Sequence, residues 1–118
     1  MLDRHVGRRE IRDSISVRAD PATALRWTRE ALQELAPESE VEFDPTRLVV
    51  WIEVPRSWKT FGERVTSTVH PADRGSNVEV TSECLFPQLF DSGKNRTNVD
   101  SVIRRLSSLD SQGASTEA

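Results

Sequence analysis

Residues 88–96 hold the densest group of side chains able to bind something. Gln88, Phe90, Asp91, Ser92, Gly93, Lys94, Asn95 and Arg96 open the last helix that the sequence predicts. A helix exposes free backbone N–H groups at its start, and together with Lys94, Asn95 and Arg96 these form a candidate anion site. Asp91 or Ser92 supplies the cap and Gly93 relieves the turn. Cations at a helix start oppose its dipole by about 0.3–1 kcal/mol each, so Lys94 and Arg96 need compensation. Glu63, Asp91 and a bound anion are the candidates. The structural alternative is a latch, in which Asn95 and Arg96 hydrogen-bond the backbone of the neighbouring strand or loop and hold the helix on the sheet.

A second group lies in residues 55–62, where Arg56, Trp58, Lys59 and Phe61 follow Pro55. Aromatic and basic side chains at a rim suit an anionic or planar ligand; the alternative is that Trp58 and Phe61 cap the end of the core. Other chemistry is sparse. His5 and His70 are far apart and Cys84 is the single cysteine, so no spacing resembles a zinc site and neither metal nor cofactor is expected. Cys84 falls at the inward end of a strand, as a buried, inert thiol does. The carboxylates show no paired acid–base signature, and phosphate-binding and dinucleotide fingerprints are missing. No catalytic residue is assigned, and a non-enzymatic binding or interaction module is expected.

These residues need elements to position them. Ile11, Asp13, Ile15 and Val17 alternate with polar residues, a strand with one buried face. Asp20-Pro21 reads as a cap followed by proline at the first helical position. Ala24, Leu25, Thr28, Ala31, Leu32 and Leu35 then form one apolar helical stripe, and Pro37 stops it. Four strands follow. The first carries Val41 and Phe43; the second Leu48, Val50, Ile52 and Val54; the third Val65 and Val69; the fourth Val78, Val80 and Cys84. Ser67 and Ser82 interrupt the inward face. Asp44-Pro45-Thr46 and residues 73–76 form tight turns, so the four strands make an antiparallel meander. A last helix carries Val99, Val102, Ile103, Leu106 and Leu109. The expected fold is α+β, in the order β-α-β-β-β-β-α: a five-stranded antiparallel sheet with both helices on one face. Residues 1–9 are expected to be a flexible N-terminus, 10–109 one domain, and 110–118 a disordered tail.

The turns also set register on the face away from the helices. Glu53 falls opposite Arg64 and Arg64 opposite Glu83; Trp51, Thr66 and Thr81 form the next row; Val49, Thr68 and Glu79 the one after. This is either a solvated face whose charges set register, or a docking surface with Trp51 as its anchor for a protein partner or a second copy of the chain. In the docking reading Trp51, Glu53, Arg64 and Glu83 are the candidate interface. A 118-residue chain with a formal charge of −3 is a poor nucleic-acid binder. No stretch approaches the roughly 20 apolar residues of a membrane span, and a single cysteine fits a reducing cytoplasm.

The run Trp58, Phe61, Gly62, Glu63, Arg64 through Phe86, Pro87, Gln88, Leu89, Phe90, Asp91, Gly93, Lys94, Asn95, Arg96 and Asn98 resembles small bacterial domains of unknown function. The element order is similar to the TATA-binding-protein-like fold, and to a shortened helix-grip domain of the lipid-transfer and polyketide-cyclase class. The first resemblance implies nucleic acid on an open sheet face, which here carries Glu53, Glu79 and Glu83. The second implies a small apolar or anionic ligand between the sheet and the last helix.

Overall fold

The computed structural model describes residues 10–56, 62–85 and 93–117, with side chains to residue 113. The elements are β1 (Glu10–Val17), α1 (Pro21–Leu35), β2 (Glu42–Asp44), β3 (Val49–Val54), β4 (Glu63–Ala72), β5 (Gly75–Cys84) and α2 (Lys94–Glu117). They form the expected α+β fold, with a five-stranded antiparallel sheet in the spatial order β1-β5-β4-β3-β2. β2 to β5 are neighbours in sequence order. α1 instead carries the chain from β1 across the sheet, and β1 pairs with β5 at the far edge.

The turn at the start of β3 is built by Asp44, whose Oδ1 accepts the backbone N–H groups of Thr46 and Arg47 at 3.0 and 3.3 Å. With that turn and the β4–β5 turn fixed, the rows fall where the sequence places them. Glu53 pairs with Arg64 and Arg64 with Glu83, Trp51 with Thr66 and Thr66 with Thr81, Val49 with Thr68 and Thr68 with Glu79. A one-residue slip would turn every buried side chain outward, so one apolar face specifies this register strongly.

Val50, Ile52, Val54, Val65, Val69, Val78 and Val80 cover the inward face of the sheet. Ala24, Ala31 and Leu32 of α1 and Val99, Val102 and Leu106 of α2 lie against them, so both helices share that face. The helices are tied to each other by Arg105 Nε and Glu34 Oε1 at 3.2 Å. On the edge strand Phe43 stays exposed, with the Arg29 guanidinium 4.0 Å from its ring centroid. The spacing predicts a last helix that ends near Asp110; α2 instead runs to Glu117. No proline follows Asp110. Asp110 itself is held, its Oδ1 accepting the backbone N–H of Arg18 at 2.9 Å.

Asp20 caps α1 as its sequence implies. Its Oδ1 accepts the Thr23 hydroxyl at 2.7 Å and its Oδ2 the Thr23 N–H at 3.4 Å. These bonds, the hydroxyl first, hold the carboxyl below its usual value of 3.8. A carboxyl whose folded value is depressed stabilises the fold above the unfolded value and loses that contribution as pH falls through the folded one. Melts followed by far-UV circular dichroism between pH 6 and 2.5 are therefore expected to lose stability below about pH 4, with a smaller loss in Asp20→Asn.

Candidate functional site

Alternation along β4 carries a charged residue into the core. Val65 and Val69 face the helices, so Glu63, two residues before Val65, must face them too. It is fully buried. In register it stands between Val54 of β3 and Cys84 of β5. Ser82 is one step further on the same face, opposite Val65. The first turns of α2 pass over this corner. Asn95 and Asn98 share the stripe of Val99, Val102 and Leu106, at spacings of three and four residues, and both asparagines are fully buried.

Glu63, Ser82, Asn95 and Asn98 form one hydrogen-bonded cluster with Cys84. The Ser82 hydroxyl donates to Asn95 Oδ1 at 2.7 Å. Asn98 Nδ2 donates to Ser82 Oγ at 3.1 Å and to Glu63 Oε1 at 3.2 Å. Asn95 Nδ2 lies 3.4 Å from Cys84 Sγ. The orientation of Asn98 follows from its neighbours. It faces a carboxyl oxygen and a hydroxyl whose proton is committed to Asn95, so the amide nitrogen must point at them.

That arrangement leaves specific valences open. Both amide protons of Asn98 are engaged, yet its Oδ1 accepts nothing, and neither does Glu63 Oε2. Ser67 Oγ, further along β4 on the same face, also has no partner. Nor is Glu63 matched by a cation among the described residues: Arg64 points to the opposite face, 2.8 Å from Glu53. Buried acceptors without donors are rare in folded proteins and call for a group that fills them.

The candidates read from sequence disperse around this corner. Asn95 is buried on β5 through Ser82 and Cys84. Arg96 turns outward, its Nη1 lying 3.0 Å from Asp100 and 3.7 Å from Asp13 of β1. These contacts run to side chains, where the latch expected from the sequence runs to strand or loop backbone. Lys94 is half-buried and Arg56 is exposed beyond the end of β3. Successive helical residues are turned by about 100°, so Lys94, Asn95 and Arg96 cannot all face one ligand from the helix. Gly93 occupies the cap position, its carbonyl accepting the Thr97 N–H at 3.0 Å. Asp91, Ser92, Trp58, Lys59 and Phe61 lie outside the described residues.

On the other face Arg64 pairs with Glu53, and Glu83 stands opposite Arg64 in register. Arg12 adds contacts of 3.0 Å to Glu10 and 3.5 Å to Glu79. Exposed pairs of this kind contribute about 0.2–1 kcal/mol. Trp51 is half-buried between Glu42 and Thr66. It borders a shallow depression of about 390 Å³ with Glu40, Glu42 and Glu53 on its rim. That rim is acidic, which disfavours a nucleic-acid backbone there.

Glu63 and Asn98 carry the unfilled valences, and neither stands among the residues that the sequence singles out as a site. The signal was available. Period-two alternation back from Val65 turns Glu63 inward, and the apolar stripe of α2, run back one turn from Val99, passes through Asn95 and Asn98.

No family model and no curated protein sequence matches this chain. Solved structures do match in fold. One is protein CV1439 from Chromobacterium violaceum, with a TM-score of 0.62 at 14% identity over 86% of this chain and 96% of that one. A START superfamily protein from Mycobacterium smegmatis gives 0.57 at 10% identity, over 85% and 98%. The Zhui aromatase/cyclase from Streptomyces sp. R1128 gives 0.53 at 13% identity, over 87% and 88%. At these identities the likeness is one of fold, and that fold is the helix-grip class of START domains and polyketide cyclases.

Proposed function

We propose that this chain is a small-ligand-binding helix-grip domain, with its ligand held between the sheet and the first turns of α2. One observation carries the reading: two acceptor oxygens, Glu63 Oε2 and Asn98 Oδ1, are buried without donors in a corner of the core that hydrogen bonds otherwise fill. An apolar core of the same shape would avoid that cost, about 1–3 kcal/mol for each unsatisfied group. Fold neighbours named for cyclase activity and START membership support the same reading by analogy. It differs from the expectation of an interaction module, and places the contacts on the helix-covered side of the sheet.

A second reading, association through the open face, is supported by Trp51, an indole left half-exposed among threonines and carboxylates. Native mass spectrometry of the purified protein addresses both. The ligand reading expects a retained small molecule on the monomer that is lost in Asn98→Leu. A bare dimer that dissociates in Trp51→Ala would favour the second reading and count against the first.

A further inference from the structure

Resting on that ligand reading, we infer that the site selects ligands presenting a cationic N–H donor, an ammonium or amidinium head group, and rejects carboxylate and phosphate head groups. The inference follows from which valences are open. The donors of the cluster are engaged: the Ser82 hydroxyl on Asn95, both amide protons of Asn98 on Ser82 and Glu63, and the Asn95 amide on Cys84. The unfilled valences there are oxygen acceptors, one from a carboxyl group and one from a primary amide. An anionic head group would bring further acceptors against them, with no donor among the described residues of the cluster to receive it.

Charge points the same way. Glu63 is fully buried, and a buried carboxyl group is costly without a partner of opposite charge. The described arginines nearest in sequence or along α2 are committed elsewhere. Arg64 lies with Glu53 on the far face, and Arg96 lies between Asp100 and Asp13. A ligand ammonium supplies a cation that the described residues do not. Its three N–H groups can serve both open oxygens, whereas a ligand hydroxyl has one proton to give. The two acceptors sit on side chains already bonded to each other, Asn98 Nδ2 to Glu63 Oε1. Val54 and Val65 flank Glu63 on the same face and make its surroundings apolar.

The test uses three probes with one phenylethyl skeleton: 2-phenylethylamine, 2-phenylethanol and 3-phenylpropionate. Each is titrated into the full chain while the amide resonances of residues 62–65, 82–84 and 94–98 are followed by NMR. The amine is expected to shift these residues and to bind at least about tenfold more tightly than the alcohol, as a charge-assisted hydrogen bond does over a neutral one. The carboxylate is expected to leave them unmoved. In Glu63→Gln, checked for its fold by the same spectra, the preference for amine over alcohol should disappear. Carboxylate binding equal to or tighter than amine binding would overturn the head-group inference and leave the ligand reading standing. If none of the probes moves these residues and no small molecule is retained by the purified protein, the ligand reading itself fails. Amine binding that survives unchanged in Glu63→Gln would show that the cation is recognised elsewhere, and would also overturn the inference.

Discussion

Replacing Asn98 with leucine is expected to lower the free energy of unfolding by about 3 kcal/mol or more. The substitution keeps the number and branching of side-chain heavy atoms and favours the helix by a few tenths of a kcal/mol, so shape and propensity do not account for the whole of such a loss. It comes from what the amide does. Asn98 Nδ2 is the donor that reaches both Glu63 Oε1 and Ser82 Oγ. Without it the buried carboxyl has no hydrogen bond on either oxygen, since Oε2 has none to begin with. Urea titration gives the loss, and an unchanged slope shows that the unfolded state is the same. The double variant Glu63→Leu/Asn98→Leu removes the orphaned group with its donor. It is expected to be more stable than Asn98→Leu alone, because two apolar residues leave nothing unsatisfied. If instead the two losses simply add, the pair is not coupled and the cluster is not a network.

This corner of the molecule was the part least legible in the sequence, for a physical reason. The apolar alternation of β3, β4 and β5 and the Asp44 turn determine register, and register gives the whole open face, down to the Glu53–Arg64 pair at 2.8 Å. The same alternation, applied strictly, turns Glu63, Ser67 and Ser82 inward. A single sequence offers two signals at such positions, periodicity and polarity, and they disagree. Polarity suggests water; periodicity, backed by long-range packing, wins. Residues 94–96 show the converse. Their proximity in sequence suggests one cationic site, yet the helical rotation sends Asn95 to Ser82 and Arg96 to Asp13. What the sequence could not display is the pairing of each atom. The open valences at Glu63 and Asn98 emerge only when every donor has been followed to its acceptor.

Local rules are kept over most of the described fold and broken most sharply at one corner, and that contrast bears on function. The α1 stripe and its Asp20 cap agree with the fold at every level. The Glu63 corner sets a carboxyl group into an apolar layer and leaves two oxygens unfilled, where valine or leucine would pack. A fold that keeps such a corner carries a stability cost with no structural return. On the proposed ligand reading a bound head group would provide the return, so Glu63→Gln is expected to weaken the selection of ligands without unfolding the protein.

Gly75→Ala is expected to destabilise the fold by about 3–5 kcal/mol, through the opposite end of the sheet. Gly75 closes the β4–β5 hairpin with φ +98°, a backbone conformation that disfavours a side chain. Strain of that kind costs of order 1–3 kcal/mol. The rest is contact. A Cβ on Gly75 would lie 2.1 Å from the Val17 carbonyl oxygen and 2.8 Å from Arg18 Cα. Both are backbone atoms, so no flexible side chain can swing aside, and the end of β1 must move. β1 is not free to move there. Val17 pairs with Ser76, whose hydroxyl donates to the Ala19 carbonyl at 2.9 Å, and the Arg18 N–H is held by Asp110 of α2. Gly93→Ala provides the control. Gly93 has φ +85°, but its Cβ would meet nothing within 4 Å, so that variant should show the conformational cost alone, about 1–2 kcal/mol. Chemical denaturation of the two variants separates strain from collision, and equal losses would show that the contact with β1 is immaterial. Hydrogen exchange should locate the damage of Gly75→Ala at the Val17 end of β1 and the Asp110 turn of α2. The Glu63–Asn98 corner lies at the other end of β4 and β5, and its amides should stay protected while the native state persists.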